Sequence, residues 1–75
     1  MKIVRIALNT MEKINSFVHD MDSIEGEAVI GSGRYYVDAK SFMGIFTLDL
    51  TKPLELRIGE WKTEYDILFR KYMVV

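Results

Sequence analysis

The sequence predicts an α+β fold, a two-layer sandwich in which helices cover one face of a largely antiparallel sheet. Three observations predict it. Apolar residues alternate with polar ones near both ends of the chain, at Val4, Ile6 and Leu8 and again at Leu54, Leu56 and Ile58, which is the period of a half-buried strand. Others recur every three or four residues, as on the buried face of a helix, at Met11, Ile14, Phe17, Val18 and Met21 and at Tyr65, Leu68, Phe69, Tyr72 and Met73. Between these lie two short β-prone runs joined by Gly31-Ser32-Gly33, where glycine supplies the positive φ of a hairpin turn. Helices that interrupt the strands while one hairpin stays local leave one sheet face covered and the other open.

The elements follow in the order β-α-β-β-α-β-α. The first strand spans Lys2 to Leu8 and stops at Asn9-Thr10. Asn9 with Glu12 three residues on is a capping-box pattern, and Thr10 is a second candidate cap. The hairpin strands run from Glu27 to Ile30 and from Arg34 to Ala39, with Tyr35, Val37 and Ala39 on one face. Ser41 is suited to cap a short helix through Phe42, Met43, Ile45, Phe46 and Leu48, although Gly44 inside it costs roughly 1 kcal/mol relative to alanine and points to close packing. Thr51-Lys52-Pro53 reads as a turn before the last strand, and Thr63 as the cap of the final helix, which the spacing carries to Met73.

Seventy-five residues hold one core and one domain, residues 1–75. Ten basic against eleven acidic residues give a net charge of −1, which provides no general field for a phosphate backbone or an anionic membrane, so nucleic acid and membrane are not expected partners. With no cysteine there is neither thiol chemistry nor a thiolate metal site, and a reducing compartment fits. The run Met1 to Leu8 is too short for a secretory signal and carries Arg5, and nothing approaches a membrane span. A cytoplasmic protein is expected, with no cofactor and no bound metal. The carboxylate pairs Asp20/Asp22 and Glu25/Glu27 lack a third ligand or an apolar pocket and read as solvated charge.

The stretch from Tyr36 to Leu48, with Lys40-Ser41-Phe42-Met43-Gly44 at its centre and Leu54-Glu55-Leu56-Arg57-Ile58 following, resembles the HPr family, the histidine-containing phosphocarrier proteins of the phosphoenolpyruvate-dependent sugar phosphotransferase system. The motif is short, but the element order agrees over essentially the whole chain. The resemblance implies an open-faced sandwich whose antiparallel strands lie in the order 1-4-2-3 beneath three helices. It also implies that Ser41 matches a serine phosphorylated by a dedicated kinase for regulation in many Gram-positive members. Lys40, Phe42, Met43 and Phe46 fall where the family meets its partner proteins. With the spacing of so short a helix, at least one of the three apolar residues is expected to turn inward.

The chain departs from the family where the phosphate acceptor belongs. A His-x-Arg-Pro sequence should open the first helix, and here the chain reads Leu8-Asn9-Thr10-Met11-Glu12-Lys13. Asn9 and Thr10 occupy the region of the lost phosphohistidine. A phosphothreonine ester lacks the transfer potential of a phosphoramidate, and Glu12 would repel the incoming anion. His19, the single histidine, falls about two turns into the helix and reads as a surface residue. Trp61, in the connection to the last helix, reads as cover for one end of the core.

The expected function is therefore that of an HPr-like protein-binding or regulatory module, not an enzyme, acting through the Ser41 region without histidine phosphotransfer. Phosphotransferase-system or HPr-kinase-type proteins are the implied partners. Two alternatives stand beside it: a phosphocarrier component with a non-standard acceptor, and a structural subunit that buries its open sheet face or Trp61 against a second copy.

Overall fold

Apolar alternation in the last strand organises the sheet. In the computed structural model, which describes residues 2–74, the chain forms β1 (Lys2–Ile6), α1 (Met11–Met21), β2 (Ala28–Ser32), β3 (Tyr35–Asp38), α2 (Phe42–Ile45), β4 (Leu54–Ile58) and α3 (Thr63–Phe69), followed by a 3-10 turn at Arg70–Tyr72. The strands make one antiparallel sheet in the order β1-β4-β2-β3, the α+β architecture and strand order expected. Leu54, Leu56 and Ile58 of β4 lie on the helical side and are fully buried or nearly so, while Glu55 and Arg57 point to the open face. The register sets Ile6 opposite Leu54 and Val4 opposite Leu56 on one flank, and Ile30 opposite Leu56 on the other.

Helix α1 seals the core with Ile14, Phe17 and Met21. Its cap is Thr10, not Asn9. Thr10 has the extended backbone of an N-cap, its carbonyl accepts from the Ile14 amide, and its Oγ1 accepts from the Lys13 amide at 3.1 Å; Asn9 stands one residue too early to reach that amide. Met11, counted in the apolar stripe, is half exposed at the helix start.

The hairpin turn is shifted from Gly31-Ser32-Gly33. Gly31 and Ser32 belong to β2, and Ser32 pairs with Tyr35, so Gly33 and Arg34 form a two-residue loop with φ +59° at Gly33, as at the first central position of a type II′ turn. Gly31 has a different role. A Cβ there would collide with the Tyr35 carbonyl oxygen and lie 2.8 Å from Tyr36 Cα.

The chain after α3 corrects a second expectation. Lys62 holds the N-cap position with no side-chain hydrogen bond, and Thr63 is the first helical residue rather than the cap; Glu64 and Asp66 supply the negative charge that favours a helix start. The helix ends at Phe69, and Met73 is extended, bridged to Ile6. The Ala7 amide donates to the Tyr72 carbonyl at 2.8 Å and the Val74 amide to the Arg5 carbonyl at 3.0 Å. Pairing with the outer edge of β1 satisfies backbone groups on both segments, which continued helix would not.

Tyr72 pins this tail. Its ring is buried against Phe17, and its hydroxyl lies 2.7 Å from both Asp20 Oδ2 and Ser16 Oγ. A carboxylate only accepts, so the phenol proton goes to Asp20 and Ser16 donates to the phenol. Burial, above all, pushes the Tyr72 phenol above its ordinary pKa. Asp20, read from sequence as solvated charge, is in fact mostly covered and also receives the Lys71 ammonium at 3.2 Å.

Gly31→Ala should cost about 1–3 kcal/mol through overpacking, seen as a lower urea midpoint with an unchanged slope. Gly33→Ala meets no atom but strains a positive φ, and should cost roughly 1–2 kcal/mol.

Candidate functional site

Helix α2 contains only four residues, too few to hold its shape alone. Three local bonds define it. Ser41 caps it as expected, Oγ accepting from the Gly44 amide at 3.1 Å, and the Ser41 carbonyl accepts from Ile45. At the far end, the Thr47 hydroxyl donates to the Gly44 carbonyl at 2.6 Å. Thr47 has thereby used its only hydroxyl proton, so the Tyr35 hydroxyl, 2.8 Å away, is the donor of the next bond. Gly44 explains itself here, because an added Cβ would sit 3.3 Å from the Val37 Cβ. The missing side chain lets α2 lie close on β3.

The helix stops at Ile45 instead of continuing to Leu48. Ile45 and Leu48 are the residues that turn into the core. None of Phe42, Met43 and Phe46 does so, which corrects the expectation that at least one would: they are 38%, 73% and 40% exposed. The Phe42 and Phe46 rings meet edge to face, 4.9 Å between centroids, a favourable aromatic geometry. Tyr35, half exposed, is tied to the same helix through Thr47. It was not singled out in the sequence, which placed Tyr35, Val37 and Ala39 on one face without saying which.

Lys40, an implied partner contact, is exposed and also ties the framework together. Its ammonium donates to the Ile24 carbonyl at 2.6 Å, joining the turn after α1 to the entry of α2, and its amide donates to Asp38 Oδ1 at 2.9 Å. Asn9 and Thr10 are exposed at the start of α1. Helix α1 leaves the end of the sheet where β1 closes on β4, at Ile6 and Leu54, whereas Ser41 follows β3 at the opposite end. His19 is exposed in the last turn of α1, more than two turns beyond Thr10. Trp61 packs on Tyr65 and Phe69 with the Lys2 ammonium 4.8 Å above its ring, as a cover for the core.

The open sheet face carries a cluster that sequence reasoning missed. The Tyr36 hydroxyl donates to Glu55 Oε1 at 2.6 Å, and Arg57 donates to the Tyr36 oxygen at 2.8 Å and to Glu55 at 3.3 Å, its guanidinium 4.3 Å from the Tyr36 ring centroid. Gly31 lies between Tyr36 and Glu55 in the ladder, and the bare glycine leaves room for a tyrosine to reach across β2. The Tyr36 hydrogen bond, then Arg57, holds the Glu55 carboxyl below its ordinary pKa, and the same bond raises that of Tyr36. Beyond α2, the Thr51 hydroxyl and amide lower Asp49 in the same way.

Among the described residues no cluster of histidine, cysteine, aspartate and glutamate is placed to hold a metal, and no helix is long and apolar enough to cross a membrane. Comparison with known protein families, curated proteins and solved structures finds no match for this chain.

Ser41→Ala should cost roughly 1 kcal/mol in chemical denaturation, the usual value of a lost N-cap. Because Glu55 and Asp49 have lowered folded pKa values, the stability they add is present above ordinary carboxylate values, near 4.5 and 3.8, and is lost as pH falls through the folded values. Acid titration of stability should therefore slope downward below about pH 4.5, and less so in Glu55→Gln.

Proposed function

We propose that this chain is an HPr-like regulatory module that binds a partner protein through α2 and does not carry phosphate on histidine. The observation that carries this reading is the exposed trio Phe42, Met43 and Phe46 in and just after α2, in a segment whose core contacts are made by Ile45 and Leu48. Aromatic and methionine side chains are effective anchors at interfaces, and all three stand in the motif on which the HPr resemblance rests. The strand order β1-β4-β2-β3 supports the same reading.

Phosphotransfer is the weaker part of the resemblance. Thr10 already uses its Oγ1 to cap α1, and Glu12 adds negative charge to the first turn. His19 lies at the wrong end of the helix, away from the free amides that would hold a phosphate. Ser41 is the regulatory candidate: it is partly exposed at the entry to the proposed docking surface. A phosphoryl group there would bring about two negative charges beside the apolar trio and so alter which partners fit. The partners in view are phosphotransferase-system and HPr-kinase-type proteins, and the setting is cytoplasmic.

Incubation with HPr kinase and ATP, and separately with enzyme I and phosphoenolpyruvate, tests both parts, read by intact mass and acid lability. An acid-stable adduct that Ser41→Ala abolishes is expected; an acid-labile adduct would restore phosphotransfer and overturn the reading. Met43→Asp and Phe46→Asp should retain the fold by circular dichroism and lose binding of the kinase. Unchanged binding in both variants would remove the docking surface.

A further inference from the structure

We infer that Met43 is a redox-modification site, at which oxidation to the sulfoxide turns the α2 surface from apolar to polar while leaving the fold in place. Its effect on docking rests on the function proposed above; its chemistry and its effect on the surface do not.

The chain has five methionines and no cysteine, so no thiol competes for a mild oxidant and sulfur chemistry falls on the thioethers. Their surroundings differ sharply. Met21 is fully buried at the end of α1, and Met73 is partly buried, packed on the core and held in the bridge to Ile6. Met11 is 54% exposed and Met43 73% exposed. Oxidation of methionine follows access to the sulfur, which ranks Met43 first, Met11 second and Met21 last.

The step itself is balanced by a peroxide. A sulfur lone pair attacks one oxygen of hydrogen peroxide, the O–O bond breaks as the S–O bond forms, and the other oxygen leaves as water after proton transfer. Sulfur loses two electrons and the peroxide gains them. Methionine sulfoxide reductases reverse the change.

Position makes this reaction informative. Ile45 and Leu48 anchor the α2 region, and Ser41, Thr47 and Tyr35 define its ends. Met43 belongs to none of these contacts, so a polar sulfoxide there takes nothing from the core. It stands next in sequence to Phe42 and three residues from Phe46, whose paired rings are the other exposed large apolar groups of the segment from Phe42 to Leu48. A strong acceptor oxygen in that position must stay hydrated, and any apolar partner would have to strip its water. Among the described methionines Met43 is thus the most exposed, and it stands within the exposed apolar surface of the α2 segment.

Native protein exposed to graded hydrogen peroxide and mapped by peptide mass spectrometry provides the test. Met43 should oxidise before Met11, and at least about tenfold faster than Met21. Retention on a hydrophobic-interaction column should fall in step with Met43 sulfoxide, recover with methionine sulfoxide reductase, and fall far less in oxidised Met43→Leu, with the melting temperature of the singly oxidised protein held. Oxidation spread evenly over the methionines, or an equal loss of retention in Met43→Leu, would overturn the inference. Kinase binding by the same oxidised sample separates the two ideas. If the site oxidises as described but neither the sulfoxide nor Met43→Asp changes binding, the docking function fails and the modification site stands.

Discussion

The fold depends on a slot that the last strand has to fill. β1 and β2 run parallel with a gap between them, and β4, which arrives after most of the chain, pairs antiparallel with both. Until Leu54, Leu56 and Ile58 enter, neither neighbour has its inner edge satisfied and the core beneath α1 has no floor. The most apolar strand face is therefore also the one with the most distant partners. Such long-range closure must be completed before its contacts reward it, which makes this a slower route to order than a local hairpin. The β2-β3 hairpin, with Gly33 at its turn, is the piece able to form alone.

With the sheet closed, the surface of interest hangs on very little secondary structure. Four helical residues survive because each end is tied to something else: Ser41 and Lys40 at the entry, Thr47 and Tyr35 at the exit. Gly44 lets the segment descend onto Val37, and Ile45 fills the space below. The result is a short platform whose inward residues are spent on stability, leaving aromatic and thioether groups outside. Lys40 belongs to this framework through Ile24, so its loss would disturb the platform from behind.

Periodicity made the architecture legible. Alternation at Val4 and Ile6 and at Leu54 to Ile58, and helical spacing at Ile14, Phe17 and Met21, identify elements whose apolar faces the core accepts. The HPr resemblance supplied the strand order, which no local pattern encodes. Boundaries were less legible, because they turn on single hydrogen bonds: Thr10 caps α1 since its hydroxyl, not the Asn9 amide, reaches Lys13. Met73 fits a helical stripe equally well as an extended residue lying over the core, and only the free edge of β1 decides between them. The polar clusters were invisible for another reason. Tyr36 meets Glu55 and Arg57, and Tyr72 meets Ser16 and Asp20, across separations that only the completed topology brings together. In the site, the cap at Ser41 was legible from its place before a helical run and its regulatory candidacy came with the HPr resemblance, while the outward direction of all three apolar residues was not foreseen, because Ile45 and Leu48 take the inward places.

The seat of Trp61 has a practical corollary. The indole stacks on α3 beside Lys2, and Lys2 belongs to the β1 edge of the sheet, whereas α2 lies on β3 at the other edge. Three strand spacings, roughly 14 Å, separate those edges. The chain thus carries its only indole fluorophore on the flank away from the α2 surface. Its emission reports loss of the aromatic packing around Tyr65 and Phe69, and so follows unfolding, while events confined to α2 leave that light unaltered. Stability and surface chemistry can be read as separate optical and chromatographic signals from one unlabelled sample.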